Sequence, residues 1–177
     1  MNVVVVYYTL HGHTRKVAEE ICSALRESPV AGGITALELS VAKPRSADDR
    51  QSYVWCQEEV WMPAEPAIYH DEYNFSEADL IILGTPVWAG SISPPIRSFL
   101  RQHEFFRKAV ALFCTYDGRA GACLGDMRAL LLGSDIVAES SFRTARRLTG
   151  GSGDAYAWAC ALASTFSDEV QDEASGA

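Results

Sequence analysis

The stretch Val3-Val4-Val5-Val6-Tyr7-Tyr8-Thr9-Leu10-His11-Gly12-His13-Thr14 decides the fold. Val3 to Tyr7 is a continuous β-branched and aromatic run without polar alternation, so it reads as a strand buried on both faces of a parallel sheet. From Thr14 the period changes. Val17, Ile21 and Leu25 form an apolar row with Ala18 and Cys22 beside it, while Glu19, Glu20 and Arg26 face out, which predicts a helix. Thr9 to Thr14 join strand to helix. Arg15 and Lys16 then fall in the first helical turn, where the helix dipole and unpaired N–H groups disfavour cations. A bound anion would remove that conflict. The turn at Gly12, the hydroxyls of Thr9 and Thr14 and the helix N-terminus would together cradle a phosphate monoester. The alternative is a plain strand-to-helix turn, with Gly12 at positive φ and Thr14 as N-cap. The residues alone leave the two even.

Length and composition bound the class. A chain of 177 residues makes one domain, large enough to bury roughly 70% of its unfolded surface. The expected domain is 1–166, followed by an acidic, disordered tail at 167–177 that holds Asp168, Glu169, Asp172 and Glu173. No apolar run approaches membrane-spanning length and the start has no basic signal-type region, so the protein is expected to be soluble and cytoplasmic. The five cysteines, Cys22, Cys56, Cys114, Cys123 and Cys160, are widely spaced and include no Cys-x-x-Cys pair, which argues for free thiols. A net charge of −8 disfavours nucleic acid as a partner.

Strand and helix signals then alternate. Strands are expected at Ile34–Leu39, Leu80–Leu83, Ala109–Cys114 and Ile136–Ser140. Ser93 can cap a helix opening with Pro94 and Pro95, whose apolar side is Ile96, Phe99 and Leu100. Leu124, Met127, Leu130 and Leu131 mark the next helix, stopped at Gly133. Asp154 can cap the last, where Ala155, Trp158, Leu162 and Phe166 recur at helical spacing. Such alternation implies a doubly wound open parallel sheet with helices on both faces.

The stretch 41–73 departs from this order. It carries Pro44, Pro63, Pro66, several acidic residues and the aromatics Tyr53, Trp55, Trp61 and Tyr69. A helix is expected around Asp49–Val60, and the rest is a functional loop. Its aromatics either cover an edge of the core, the favoured reading, or form a flap over a site.

Two further clusters follow strands. Gly84-Thr85-Pro86-Val87-Trp88-Ala89-Gly90-Ser91 stands at the carboxyl end of the third strand, where open parallel sheets bind ligands. Its Trp88, between a proline turn and a small Ala-Gly pair, is expected to project a flat apolar face, with Gly90 leaving room for a ring. Thr115-Tyr116-Asp117-Gly118 follows the fourth strand and brings a second aromatic to the same rim.

These three loops resemble those of the flavodoxin family. The segment from Tyr7 to Thr14 is similar to the family's first loop, the segment from Asp79 to Pro95 to its third-strand loop, and Val110 to Thr115 to its fourth strand. The likeness spans Val3 to about Phe166. It implies five parallel strands in the order 2-1-3-4-5 and FMN as cofactor. It further implies that Trp88 and Tyr116 stack on the isoalloxazine while Thr9, Thr14 and loop amides hold the phosphate. Leu10, His11, Gly12 and His13 complete the first loop; Thr85, Pro86, Val87, Ala89, Gly90, Asp117 and Gly118 complete the other two. His11 stands where the family pattern has Ser or Thr. No residue presents itself as acid, base or nucleophile, and His11 with His13 lacks further ligands for a metal site.

The resemblance supports three functions. The first is an electron-transfer flavoprotein working with a redox partner protein. The second is an FMN-dependent oxidoreductase between a nicotinamide and a quinone. The third is a module that has lost FMN. A carrier of this kind surrounds its flavin with acidic residues, whereas this first loop runs into His11, His13, Arg15 and Lys16.

Overall fold

The computed structural model describes residues 1–29, 32–43, 49–62, 64–144 and 152–175, with the side chains of 49–53, 55, 152–153 and 167–175 left aside. Pro44 and Pro63, and the side chains of Tyr53, Trp55 and the acidic C-terminal segment, therefore lie outside what is described.

In chain order the elements are β1 (Asn2–Tyr7), α1 (His13–Glu27), β2 (Gly33–Glu38), β3 (Ser40–Val41), α2 (Asp49–Trp61), β4 (Ile68–Tyr69), a 3-10 turn (Phe75–Glu77) and β5 (Leu80–Trp88). There follow β6 (Ser91–Ile92), α3 (Pro94–Gln102), β7 (Ala109–Tyr116), α4 (Cys123–Leu130), β8 (Asp135–Arg143) and α5 (Ser152–Ser175). The main sheet runs β2-β1-β5-β7-β8, every neighbouring pair parallel. Numbered among themselves, these strands have the order 2-1-3-4-5, the flavodoxin-like arrangement. Strand order reverses between β1 and β5.

β1 is buried on both faces as its composition requires. Val4 and Val6 enter the core on the face covered by α3 and α4. Val3, Val5 and Tyr7 enter the other, covered by α1 and α5. In α1 the buried residues are Thr14, Val17, Ala18, Ile21, Cys22, Ala24 and Leu25, a single stripe.

β5 runs five residues past its expected end. β1 stops pairing with it at Tyr7 opposite Gly84, while β7 continues to Thr115 opposite Pro86. On the side that β1 has vacated, Pro86 breaks no ladder bond by lacking an N–H. Gly84 is demanded by packing, since a Cβ there would lie 2.1 Å from the Phe113 ring.

The stretch 41–73 does contain the expected helix, α2, but the remainder is not only loop. β3 and β4 pair antiparallel, Ser40 with Tyr69 and Val41 with Ile68. Covering of the core edge falls to Cys56, Val60 and Ile68; Trp61 and Tyr69 are 70% and 60% exposed, contrary to the reading of these aromatics as core cover. β4 is anchored by the residue after it. The His70 ring meets Phe99 edge-on at 5.6 Å, and Phe99 stacks on His103 at 4.3 Å. The helical path of α5 continues into the acidic segment as far as Ser175.

Candidate functional site

The first loop leaves β1 beside the point where strand order reverses. Gly12 occupies the N-cap of α1 at φ 82°, and a side chain there would meet nothing within 4 Å. Thr9 Oγ1 accepts a hydrogen bond from the Gly12 N–H at 3.0 Å, which closes the turn. A hydroxyl that accepts keeps its own O–H for a ligand. The first helical bond runs from Lys16 N–H to the Gly12 carbonyl at 3.2 Å, so the amides of His13, Thr14 and Arg15 precede it at the helix end. Thr14 is not the N-cap. Its side chain is buried and meets Thr115 Oγ1 at 2.8 Å. Leu10 packs on the α3–α4 side of the core. His11 and His13 stand exposed with ring centroids 6.5 Å apart.

Arg15 does not face an anion at the helix end. Its guanidinium forms a two-pronged ion pair with Glu38 at the end of β2, Nε at 2.6 Å and a terminal nitrogen at 2.5 Å. The Tyr7 hydroxyl donates to the same carboxylate at 3.1 Å. This network resolves the conflict of a cation in the first turn through a side chain the local sequence does not contain. The Arg15 hydrogen bonds hold the Glu38 carboxyl below its ordinary range. Burial first, then Glu38, pushes the Tyr7 phenol up to about 12.

The second loop is a hairpin rather than an open arm. β5 turns back through Ala89 and Gly90, at φ 48° and 79°, into β6, with Trp88 opposite Ser91. Positive φ at both central residues matches the twist of the flanking strands. Trp88 ends inside the core, 6% exposed, its indole edge-on to Tyr8 at 5.9 Å. The expected projecting face is therefore absent: two residues of extra pairing carry the indole under the hairpin instead of above it. A Cβ on Gly90 would meet only the Gly121 Cα, at 3.9 Å, so that side of the turn stays open. The Gly90 carbonyl accepts from Ala122 N–H at 2.7 Å, and a Cβ on Gly121 would come within 2.3 Å of that oxygen. Ser91 donates to Asp126 in α4, fixing the hairpin from the other side. At its base Thr85 Oγ1 accepts from Ser93 N–H at 3.1 Å and meets Ser93 Oγ at 3.0 Å. Ser93 thus serves Thr85 and makes no side-chain cap on α3.

The third loop presents half-buried Tyr116, with Asp117 and Gly118 exposed. Its backbone is held from β8, Thr144 N–H donating to the Tyr116 carbonyl at 2.7 Å and Arg143 Nε to that of Asp117 at 3.1 Å. Space around Gly118 is open within 4 Å. Beneath this loop Cys114 and Cys123 interact, and a hydrogen bond from Cys123 lowers the Cys114 thiol while raising its own.

Sequence reasoning missed Glu38, Gly121 and Asp126, and gave Ser93 the role of a helix cap. Of the three, only Gly121 left a trace, in the small-residue run Gly118-Arg119-Ala120-Gly121-Ala122.

These residues fit FMN. Helix-end amides, the Thr9 hydroxyl and the open side of Gly12 suit its phosphate; Tyr116 and the open approach at Gly118 suit one side of its ring. Fold and site together define a flavodoxin-like FMN flavoprotein. The chain belongs to the NADPH-dependent FMN reductase family, whose model matches residues 1–137, and FMN is its cofactor. Among curated proteins it is 32% identical over 100 residues to an NAD(P)H dehydrogenase (quinone) of Geobacter sulfurreducens, covering 56% of this chain and 47% of that protein. The chain thus spans about half the length of the curated relatives it matches. Among solved structures, a flavoprotein of Lactobacillus acidophilus in complex with FMN matches with TM-score 0.67 and 25% identity, over 79% of this chain and 92% of that one. A flavodoxin of Bacillus cereus shares the fold at TM-score 0.58 and 16% identity, over 96% and 99%. Among the described residues no helix is long and apolar enough to cross a membrane.

Proposed function

We propose that this chain is an FMN-dependent oxidoreductase that takes electrons from a nicotinamide nucleotide and delivers them to a quinone or similar acceptor. The observation that carries this reading is the rim. Around the first and third loops the exposed side chains include His11, His13, Arg15, Lys16, Asp117 and Arg119, with Arg15 paired to Glu38. A docking carrier wants carboxylates there; a dinucleotide, with its two phosphates, wants cations and imidazoles. The quinone-reducing activity named for the curated relatives supports the same choice.

Bound FMN supplies the redox chemistry, passing two electrons from a nicotinamide to the acceptor. The chain's residues bind and orient it. In this reading the amides of His13, Thr14 and Arg15 and the hydroxyl of Thr9 hold the phosphate, with Leu10, His11 and Gly12 shaping the turn. Thr85 to Gly90 and Thr115 to Gly118 bound the ring, and Tyr116 stacks on it. Trp88 and Tyr8 keep water from the floor of the hairpin. A cytoplasmic setting, where nicotinamide nucleotides are held, suits the activity.

The test is spectroscopic. The purified protein should show flavin absorbance and release FMN, and stopped-flow mixing with NADH or NADPH should bleach that absorbance without a second protein, a quinone then restoring it. Bleaching only through a partner reductase would make the protein a carrier, and a colourless protein that takes up no added FMN would remove the cofactor role altogether.

A further inference from the structure

Cys114 and Cys123 stand on either side of the third loop, and the FMN site uses neither. Cys114 lies on β7, opposite Thr85 of β5, and Cys123 opens α4. Both residues enter the same core, on the α3–α4 side of the sheet, and both are 0% exposed. There the two thiols share a hydrogen bond, Cys123 donating to Cys114. Cys22 and Cys160 belong to the core on the opposite face, with the sheet between.

We infer that Cys114 and Cys123 are a modification site, which a hydroperoxide joins in a reversible disulfide, and that this bond opposes the binding of FMN. Three features carry the inference. First, the sulfurs are in hydrogen-bond contact, so only a short closure separates them from a covalent S–S bond. Second, Cys114 is the better nucleophile of the two. The hydrogen bond from Cys123 holds its thiol below the ordinary range although burial pushes the other way, and Cys123 sits in the first turn of α4, where the helix end favours an anion. Third, the pair closes the base of a loop. Asp117, Gly118, Arg119, Gly121 and Ala122 are exposed between the two cysteines, and Ala122 immediately precedes Cys123. Burial keeps the thiols inert while this loop is down, and lifting it uncovers both sulfurs at once.

The peroxide is the sole oxidant the step needs. The Cys114 thiolate attacks one peroxide oxygen, the O–O bond breaks and a sulfenic acid forms, while the other oxygen leaves and takes up the proton that Cys114 gave up. The Cys123 thiol then attacks that sulfur and expels its hydroxyl as water. With hydrogen peroxide the two thiols lose two hydrogens and two electrons, and two waters form.

The link to FMN follows from what the start of α4 holds. Drawing Cys123 toward β7 moves Ala122, whose N–H donates to the Gly90 carbonyl at 2.7 Å, and Gly121, which packs on the Gly90 backbone. The second and third loops therefore shift together. FMN seated between them holds the third loop down, and by linkage it disfavours the disulfide by the same factor that the disulfide weakens FMN. This link rests on the reading that these loops bound the ring; the disulfide itself does not.

The experiment treats the whole chain, FMN-loaded and FMN-free, with hydrogen peroxide, then unfolds it, alkylates free thiols and maps the peptides by mass. In the FMN-free protein Cys114 and Cys123 should escape alkylation together, as one cross-linked species two hydrogens lighter, and dithiothreitol should restore both. Bound FMN should slow the reaction, and the oxidised protein should bind FMN about tenfold more weakly. In Cys123→Ala the peroxide should leave a sulfenic acid on Cys114 that dimedone traps. Cys114 and Cys123 both alkylated after treatment of the FMN-free protein, or joined to other cysteines, would overturn the disulfide. A disulfide that forms equally fast with FMN bound and leaves FMN affinity unchanged would overturn the link to the cofactor, and with it the placing of these loops at the ring. A chain that takes up no FMN would remove the oxidoreductase reading, and the peptide map then decides the disulfide by itself.

Discussion

Thr14 Oγ1 and Thr115 Oγ1 stand 2.8 Å apart in the core, although 101 residues separate them in the chain. The first is in the opening turn of α1 and the second near the end of β7, so this one contact ties the first loop to the third. Both side chains are buried, at 1% and 3% exposure, and each needs the other.

Replacing Thr14 by Val should therefore cost about 1–3 kcal/mol of stability, because the Thr115 hydroxyl is left buried without its partner. The double variant Thr14→Val, Thr115→Val should regain part of that loss, since an apolar pair of similar shape has nothing left unsatisfied. FMN affinity should fall in the single variant as the first turn shifts. Denaturant titration of both variants, with and without FMN, checks the sign of the coupling.

Trp88→Ala should behave as a core truncation, with a loss of about 3–5 kcal/mol before any ligand is added. Trp88→Phe should be milder and keep FMN binding. An apo protein of unchanged melting temperature that has lost FMN would show instead that the indole leaves the core for the ring.

Gly121→Ala puts a Cβ at 2.6 Å from the Gly90 Cα at a position with φ +60°, so the clash is with backbone and cannot be relieved by a rotamer. Undocking of the hairpin should cost about 1–3 kcal/mol and loosen the ring site more than the phosphate end. Comparing FMN with riboflavin reads this directly: both should weaken by the same factor, since the phosphate contacts are untouched.

The Arg15–Glu38–Tyr7 network sets two pH limits. Glu38 has a folded pKa below its ordinary 4.5, so its contribution to stability is present above that value and is lost as pH falls through the folded one. Tyr7 has a folded pKa of about 12 against an ordinary 10.0, so its contribution is present below 10.0 and lost as pH rises toward about 12. The stability difference between the parent and Glu38→Gln should accordingly be level from pH 5 to 9 and shrink on acidification. A difference that grows on acidification would place the proton elsewhere.

How much of this was legible depends on how local each feature is. The positive φ expected at Gly12 is found, but the cap of α1 is Gly12 itself and the hydroxyl of Thr14 turns inward to Thr115. The turn residues around Trp88 resemble an exposed loop, whereas Val87 and Trp88 pair with Ile92 and Ser91 and the indole is buried. Gly90 keeps an open Cβ side, but the close approach of Gly121 to its backbone comes from a segment well beyond the turn, which no local pattern announces.

The sequence by itself determined the order of strands and helices, the double burial of β1, the amphipathic stripe of α1 and the strand-to-helix turn that suits a phosphate. Each of these follows from residues within one or two turns of one another, where periodicity and backbone preference act. Only the tertiary structure decided that Arg15 pairs with Glu38, Thr14 with Thr115, Ser91 with Asp126 and Trp88 with Tyr8. Those partners are chosen by sheet order and register, which bring distant segments side by side, and hydrophobic spacing along a single segment carries no record of which neighbour it will meet.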